Sequence, residues 1–356
     1  MTAILGPTLD GIRPADEETA RATQDLLDAK TKPPGSLGRL EALACRVAAI
    51  RGEVPSGPLE PAIVVAAADH GVWEEGVSPY PREVTGQMLA NFASGGAAVA
   101  VVARQVGARL VVVDAGSATA APSSGIRHEV VDGLRTTANI ARGPAMPYGV
   151  AVGSIERGIA LADELVADGV GVIAIGDMGI ANTTAASALC VALLPATPRS
   201  VCGPGTGLDA AGVARKADVV RRALEANRSV VREGPPDPIE ALAALGGFEI
   251  AFLVGVILGA AARRVPVLLD GFVTGAAALV AVSASPPVAD AMIAATRSPE
   301  PGHALVLSRL GQEPLLNLDL RLGEASGAAL AIPLVRAALA IVTEMATFEA
   351  AGVSRG

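Results

Sequence analysis

Four short apolar runs recur along the chain, and each of them ends in an acidic or glycine-rich turn. They are "AIVVAAADHG" (62–71), "LVVVDAGS" (110–117), "GVIAIGDMGI" (171–180) and "VPVLLDGF" (265–272). Runs that are this short and apolar on both faces, with alanine-rich helical stretches between them, are typical of buried parallel strands. The sequence therefore predicts an α/β fold with a doubly wound, mainly parallel sheet and helices on both faces.

An aspartate stands at the end of each predicted strand. These residues are Asp69, Asp114, Asp177 and Asp270. A turn or a helix cap explains any one of them. Open α/β sheets, however, bind their ligands beyond the carboxyl ends of the strands. Four aspartates at that edge therefore favour a functional site there.

Two predicted helices lie outside this pattern of strands, one near each end of the chain. They cover residues 15–30 and 333–352, and both contain several alanines. We expect residues 1–30 and 330–356 to form a small helical subdomain. The remaining residues, 31–329, are expected to form the catalytic α/β domain.

The composition disfavours several classes of protein. The formal net charge is −8 and no run of Lys and Arg occurs, so nucleic acid is not an expected partner. The 3 cysteines have no CxxC spacing and the 3 histidines are far apart, which predicts neither a disulfide framework nor a metal site. No cofactor is expected.

No membrane attachment is expected either. The segment "MTAILGPTLDGIRPADEE" lacks the basic and apolar parts of an export signal, so we expect a cytoplasmic protein. Residues 178–198 are long enough to cross a bilayer, but Asn182, Thr183 and other polar residues make them too polar. This stretch is predicted to be a buried loop and helix.

Two glycine-rich segments are candidates for binding a phosphate group. In "GDMGIANTT" (176–184), backbone N–H groups at a helix start can hold a phosphate beside Asn182 and Thr183, although a capped turn explains the segment equally well. In "CGPGTGLDAAGVARK" (202–216), Lys216 can supply the compensating charge. The second segment matches neither a Walker A loop nor the dinucleotide fingerprint.

One loop holds Trp73 and Tyr80, in a chain with 1 tryptophan and 2 tyrosines. These rings can flank a planar ligand, or they can be ordinary surface or core aromatics.

A single carboxylate, Glu324, lies between glycines in "RLGEASGAAL" (321–330). On its own, this pattern is most simply a helix start, because a carboxylate there meets exposed N–H groups and the positive end of the helix dipole.

A long ordered set of motifs resembles one enzyme family. The motifs are "KPPGSLGRLE", "DHGV", "GVSPYP", "VTGQML", "GGAAV", "GDMGIANTT", "GTGLD", "GGFEIA", "PVLLDGF", "EPGHALVLSRLG", "LLNLDLRLGEASGAAL" and "MATFEAAGVS". Together, from about Lys32 to Ser354, they resemble the nicotinate-nucleotide:5,6-dimethylbenzimidazole phosphoribosyltransferases. The resemblance implies transfer of a phosphoribosyl group from nicotinate mononucleotide to 5,6-dimethylbenzimidazole, giving α-ribazole 5′-phosphate and nicotinate for the lower ligand of cobalamin. It also implies a homodimer.

The same resemblance implies roles for particular residues. Glu324 is implied as the base that accepts a proton from the benzimidazole, and Asp177 as a carboxylate beside the ribose. The implied phosphate and ribose site contains Gly176, Gly179, Asn182, Thr183, Gly203, Gly205, Thr206, Gly207 and Lys216, and the implied base pocket contains Ser78, Tyr80, Gln87, Met178 and Leu322.

Three positions depart from the family's usual motifs. Asp177 and Ala181 stand where "GEMGIGNTT" is frequent, and Pro204 stands where an arginine is expected in "GRGTGLD". Two alternatives therefore stay open. One is a phosphoribosyltransferase for a different base, such as another benzimidazole, a purine or a phenol. The other is a non-catalytic relative that binds a nucleotide.

Overall fold

One sheet of six parallel strands organises the computed structural model, which describes residues 2–119, 121–231 and 236–354. The strands are β1 (Glu60–Ala68), β2 (Arg109–Gly116), β3 (Arg127–His128), β4 (Val170–Met178), β5 (Val267–Leu269) and β6 (Met292–Ala294). Their order across the sheet is β3-β2-β1-β4-β5-β6, which is the order of the Rossmann-type doubly wound sheet. The predicted α/β class is confirmed, and the four predicted runs correspond to β1, β2, β4 and β5.

The order of the strands reverses beside β1, and this reversal creates a natural binding crevice. β1 pairs with β2 on one side and with β4 on the other, so Ala67 lies between Asp114 and Met178. Chains that leave β1 and β4 at this point diverge to opposite sides. Ligands of doubly wound sheets bind at such a switch point, beyond the carboxyl ends.

Fifteen helices are found in the described ranges. They are α1 (Leu5–Gly11), α2 (Glu17–Asp28), α3 (Arg39–Arg51), α4 (Val84–Ala93), α5 (Ala98–Val106), α6 (Tyr148–Ala167), α7 (Asn182–Leu193), α8 (Pro198–Val201), α9 (Ala210–Ala226), α10 (Pro238–Leu245), α11 (Phe248–Ala262), α12 (Phe272–Ala284), α13 (Pro301–Leu310), α14 (Ser326–Glu344) and α15 (Phe348–Ala351). Two 3₁₀ turns, Gly71–Glu75 and Pro286–Ala291, complete the set.

Helices with small side chains pack closely around the sheet. α11 packs against β1, β2, β4 and β5 and also against α6, whereas α14 packs against β4, β5, α3 and α5. Glycines let α6 and α11 approach, since a Cβ at Gly255 would lie 1.9 Å from the carbonyl oxygen of Ile155. Because the side chains at this contact are small, the backbones of the two helices lie nearly in contact.

The two ends of the chain meet. Lys30 forms an antiparallel bridge with Thr347, and its Nζ donates to the carbonyl of Met345 at 2.7 Å. α14 also packs against α2 and α3. The proposed helical subdomain of residues 1–30 and 330–356 stays a prediction, because α14 begins before that boundary and packs on the sheet as well.

The terminal helix differs from its predicted bounds of 333–352. α14 begins at Ser326 and contains Pro333, which has no N–H to donate to the carbonyl of the preceding turn. α14 ends at Glu344, and a break at residues 345–347 precedes the short α15. The break occurs where the chain pairs with Lys30.

Two helical stretches among the described residues reach the length and hydropathy of a membrane span. They are Val84–Val106 and Ser326–Glu344. The first is divided, because α4 ends at Ala93 and α5 begins at Ala98. The second is α14, which packs on the sheet. The predicted buried loop and helix at 178–198 is confirmed as the turn after β4 followed by α7.

Candidate active site

A cavity opens at the carboxyl ends of β4 and β5. Its walls come from the β4–α7 turn, the loop before α9, the turn after β5 and the segment before α14. Among the lining residues are Asp177, Gly179, Asn182, Thr183, Gly205, Thr206, Asp270, Thr296, Ser298, Glu300, Leu322 and Gly323. The predicted site at the carboxyl edge of the sheet is thus found beyond β4 and β5, next to the switch point between β1 and β4.

The β4–α7 turn presents polar groups to this cavity. Asn182 Nδ2 donates to Asp177 Oδ2 at 2.8 Å, which orients the carboxylate. Ala181 has the left-handed conformation, with φ 75° and ψ 4°, and directly precedes α7. α7 therefore begins at the cavity wall, at Asn182 and Thr183, where the positive end of the helix dipole favours a phosphate.

The loop before α9 forms the opposite wall and is held by Glu300. The Pro204 carbonyl accepts from the N–H groups of Gly207 and Leu208 at 3.1 and 2.9 Å, which closes a tight turn. The backbone N–H of Gly205 donates to Glu300 Oε1 at 2.7 Å. Glu300 lies at the start of α13, so two distant segments fix this wall.

Lys216 lies under the cavity rather than in its wall. Its Nζ donates to Thr183 Oγ1 at 2.8 Å and to the Gly203 carbonyl at 3.2 Å, and lies 3.9 Å from Glu300 Oε2. Burial lowers the pKa of this amine, and the charge of Glu300 opposes the shift. The ammonium thus joins the β4–α7 turn to the loop before α9.

Glu324 is held by a left-handed turn pressed against β4. Glu324 and Ala325 have φ values of 62° and 61°, and the Glu324 N–H donates to the Asp177 carbonyl at 3.2 Å. The residue is 5% exposed. Burial, followed by the negative charge of Asp270, raises the pKa of this carboxyl to about 7.

The helix-start interpretation of Glu324 is corrected by Asp270. Asp270 Oδ1 accepts from the N–H groups of Gly327 and Ala328 at 2.7 and 3.0 Å, so this residue from the end of β5 caps α14. Ala325 occupies the N-cap position and makes no side-chain cap. Glu324 therefore remains available to a ligand.

Three carboxyl groups share this region and oppose one another's ionisation: those of Glu324, Asp177 and Asp270. Burial and then the charge of Asp270 raise the pKa of Asp177 to about 7, and Asn182 opposes the shift. Burial raises the pKa of Asp270 to about 6, against the effect of its backbone hydrogen bonds. A site with this much acidic character favours a developing positive charge.

A second cavity adjoins the first. The two share Met178, Ile180, Gly205, Thr206, Leu320, Arg321 and Leu322 as walls. The second also has Tyr80, Val84, Met88 and Glu324 in its walls. Glu324 in the wall of the second cavity therefore directly follows Gly323 in the wall of the first.

Three of the five predicted base-pocket residues line the second cavity: Tyr80, Met178 and Leu322. Ser78 lines a smaller neighbouring cavity of about 310 Å³, and its Oγ accepts from the Tyr80 N–H at 3.2 Å. Gln87 is exposed on α4 and lies outside these walls.

Val84 and Met88 are the residues of α4 that line the second cavity. Their i, i+4 spacing places both on one helical face, and this apolar pair was the signal that sequence reasoning missed.

Five of the nine predicted phosphate and ribose residues line the first cavity. They are Gly179, Asn182, Thr183, Gly205 and Thr206.

The other glycines shape the backbone instead. Gly176 packs on Ala325, and a Cβ at Gly203 would lie 2.6 Å from Glu300 Oε2. Gly207 has a φ of 129°, a conformation suited to glycine. The described cavity walls contain none of these three glycines, Gly176, Gly203 and Gly207.

Of the four strand-end aspartates, Asp177 and Asp270 line the first cavity. Asp114 instead accepts from Arg135 Nη1 at 3.0 Å, and Asp69 from the Ala118 N–H at 2.8 Å. Within the described ranges, no three His, Cys, Asp or Glu side chains are grouped as a metal ion requires.

Comparisons with known proteins identify a family of phosphoribosyltransferases. A family model described as "Phosphoribosyltransferase" matches residues 12–353. A nicotinate-nucleotide–dimethylbenzimidazole phosphoribosyltransferase of Desulforudis audaxviator is 50% identical over 354 residues, covering 99% of this chain and 98% of that protein. A protein of the same name from Geobacter metallireducens is 47% identical over 361 residues, with 99% of each chain covered.

A solved structure extends the match to three dimensions. The crystal structure of CobT from Thermus thermophilus superposes with a TM-score of 0.89 at 44% identity, covering 95% of this chain and all of that one. The family model and the relatives each span nearly the whole chain. The chain therefore belongs to the nicotinate-nucleotide–dimethylbenzimidazole phosphoribosyltransferase family.

Proposed function

We propose that this protein transfers the 5-phosphoribosyl group of nicotinate mononucleotide to 5,6-dimethylbenzimidazole, with α-ribazole 5′-phosphate and nicotinate as products. The observation that carries the proposal is the position of Glu324 in the wall of the second cavity, next to Gly323 in the wall of the first. A planar apolar acceptor fits the second cavity. A nucleotide fits the first, and the two meet at a carboxyl group.

The donor is held by its phosphate. The phosphate oxygens lie against the positive end of α7 and against Thr206 in the loop before α9. Lys216, which lies under the cavity and contacts Thr183, carries a positive charge that favours binding of the phosphate. The ribose then extends toward Asp177.

The reaction is a displacement at the anomeric carbon. One nitrogen of the benzimidazole donates its lone pair to that carbon, and the bond to the pyridinium nitrogen breaks with its electron pair remaining on nicotinate. This leaving group needs no proton. Attack opposite the leaving group converts the β-anomer into the α-anomer.

Glu324 is the general base in this proposal. When one benzimidazole nitrogen attacks, the proton on the other becomes acidic, and a carboxylate within hydrogen-bond reach accepts it. A pKa of about 7 suits this role, because about half of the group is ionised near neutral pH and its carboxylate is more basic than an ordinary one.

Asp177 stabilises the positive charge that develops on the ribose during bond breaking. It lines the donor cavity, and Asn182 fixes its orientation. A preorganised negative group acts at this point without reorganisation during the step. Asp177 is thus an electrostatic residue rather than a proton carrier.

We also infer a cytoplasmic homodimer. The resemblance of the motifs supports the dimer, as do the side chains of Leu318 and Leu322, which are 53% and 51% exposed near the opening of the cavities. Light scattering coupled to size exclusion tests the dimer. Cell fractionation tests the compartment.

The decisive experiment is a chromatographic assay of the purified protein. Nicotinate mononucleotide is supplied with 5,6-dimethylbenzimidazole, benzimidazole, adenine or phenol, singly and in competition. We expect the dimethylated base to be preferred, because the walls formed by Val84, Met88 and Leu322 bury apolar groups. Preference for adenine or phenol identifies the alternative transferase, and absence of product with every base identifies a non-catalytic relative.

Two variants accompany this assay. Glu324→Gln keeps the size of the side chain but cannot accept the proton, so we expect a loss of turnover of about 10²-fold or more with binding of both substrates retained. Glu344→Gln, at the exposed end of α14, is the matched control and keeps full turnover. Near wild-type turnover in Glu324→Gln contradicts the assignment of the base.

A further inference from the structure

We propose that Trp73 is a positioning residue for the acceptor base, because its indole N–H holds the backbone of Tyr80 at the edge of the second cavity. This inference rests on the proposed function, which supplies the identity of the acceptor. Trp73 itself is outside the described cavity walls and acts through Tyr80, whose side chain is part of them.

The backbone of Tyr80 is fixed on both sides. Trp73 Nε1 donates to the Tyr80 carbonyl at 2.9 Å, and the Tyr80 N–H donates to Ser78 Oγ at 3.2 Å. Pro79 and Pro81 flank the residue and restrict the backbone further. The Tyr80 side chain is 46% exposed, so these backbone constraints, rather than burial, determine where its ring lies.

Trp73 is itself held firmly at the end of β1. It belongs to the 3₁₀ turn Gly71–Glu75, and its N–H donates to the His70 carbonyl at 3.1 Å. Its own carbonyl accepts from the Gly76 N–H at 3.0 Å. The guanidinium of Arg82 lies 5.8 Å from the centre of the indole ring, within the range of a cation–π contact.

The other side of this turn is attached to α9, the helix that carries Lys216. Arg215 Nε donates to the Gly76 carbonyl at 3.0 Å, and Arg222 Nη2 to Glu75 Oε2 at 2.8 Å. The turn therefore has fixed attachments to the donor side of the site. Trp73 extends this rigidity to Tyr80 on the acceptor side.

Loss of the indole N–H leaves the Tyr80 carbonyl without this partner and loosens the loop. One hydrogen bond of this type changes an equilibrium by about threefold to tenfold. We therefore expect Trp73→Phe to raise the KM for 5,6-dimethylbenzimidazole by about that factor. The kcat and the KM for nicotinate mononucleotide should change less than about twofold, because the donor contacts are untouched.

A double-mutant cycle with Tyr80→Ala separates positioning from a general structural effect. If Trp73 acts through Tyr80, Trp73→Phe raises the KM for the base in the wild-type background but not in Tyr80→Ala. Tyr148→Phe, which changes the other tyrosine outside these cavities, is the control. Equal effects of Trp73→Phe in both backgrounds, or an unchanged KM for the base, overturn the proposal.

Trp73 also provides a direct readout, because it is the single tryptophan of the chain. In the unmodified protein, 5,6-dimethylbenzimidazole should change the indole emission with the same saturation curve that equilibrium dialysis gives. Inorganic phosphate should leave it unchanged. If the emission stays constant when 5,6-dimethylbenzimidazole is saturating, the proposal is overturned. This result can be obtained even if Trp73→Phe does not fold.

The two proposals fail in different ways. If the wild-type protein forms no product with this base, the proposed function is wrong. If it forms product but Trp73→Phe retains the wild-type KM, only the positioning role is wrong.

Discussion

Gly176 and Ala325 are in contact through their backbones: a Cβ at residue 176 would lie 1.9 Å from the nitrogen of Ala325. This contact brings the turn before α14 directly onto β4, next to Asp177. The hydrogen bond from the Glu324 N–H to the Asp177 carbonyl depends on the same approach. The position of the base relative to the donor cavity thus requires a glycine in the middle of a strand.

Gly176→Ala should separate these two segments. The new methyl group forces the Glu324 turn away from β4, so we expect a loss of turnover of at least about tenfold and a destabilisation of about 1–3 kcal/mol. Steady-state kinetics and thermal unfolding measure the two effects. Gly149→Ala is the control, because no atom lies within 4 Å of a Cβ built there. Wild-type turnover in Gly176→Ala would show that Glu324 is not held by this contact.

The pH dependence of the rate should follow the ionisation of Glu324. Below about pH 7 the carboxyl is protonated and cannot act as a base, so kcat/KM should fall on the acid side. Asp270 raises this pKa through its negative charge. In Asp270→Asn, whose side-chain oxygen can still cap α14, the acid limb should therefore move to lower pH.

Comparison of the two pH profiles removes the contribution of the substrate. Any titration of the base or the nucleotide is the same for both proteins, so only an enzyme group can move the limb. An acid limb at the same pH in Asp270→Asn contradicts its assignment to Glu324.

Stability should fall as the pH rises from about 4 to about 7. The folded-state pKa values of Asp177 and Glu324 are raised to about 7, so the folded chain holds protons that the unfolded chain has already released. A stabilising contribution is therefore complete below the unfolded pKa values and lost as the pH passes the folded ones.

Asp177→Asn removes one of these ionisations but keeps an oxygen for Asn182. We expect it to increase the free energy of unfolding by about 2 kcal/mol near pH 8 and to change it little near pH 4. Chemical denaturation at the two pH values measures the difference. A variant that is equally destabilised at both contradicts the burial of charge at this position.

The sequence was sufficient for the parts of the fold that have a local signal. β1, β2, β4 and β5 were predictable because each is a continuous apolar run. β3 consists of two polar residues, Arg127 and His128, at the edge of the sheet. A segment of that length has no detectable alternation, because it forms only where a neighbouring strand is already in place.

For the site, too, the sequence was sufficient for local features but not for contacts between distant segments. Motif matching identified Glu324, yet the cap of α14 comes from Asp270, a contact between residues far apart in sequence. On α4, Gln87 was predicted and Met88 lines the cavity. Neighbouring residues on a helix point about 100° apart, so a motif locates the helix but not the inward face.

Lys216→Met should weaken donor binding. The substitution keeps the length of the side chain but removes the charge and the bonds to Thr183 and Gly203, so we expect the KM for nicotinate mononucleotide to rise at least about tenfold. Stability should also fall, because Glu300 then remains buried without its cation.

Adding Glu300→Gln to Lys216→Met separates the two effects. The double variant has no buried unpaired charge, so most of the lost stability should return while the donor KM stays high. Recovery of the donor KM together with stability would indicate that Lys216 has only a structural role.

Ala181→Gly should stabilise the protein. Ala181 has φ 75° at the start of α7, and the left-handed conformation costs a residue with a Cβ about 1–2 kcal/mol. Glycine avoids this strain but adds about 0.4–1 kcal/mol of unfolded-state entropy, so we expect a net gain of about 0.5–1 kcal/mol. Ala185→Gly, in the buried interior of the same helix, should instead lose about 1 kcal/mol or more. Thermal unfolding of both variants tests the opposite signs, and a loss in Ala181→Gly equal to that in Ala185→Gly would mean that the turn at residue 181 is not strained.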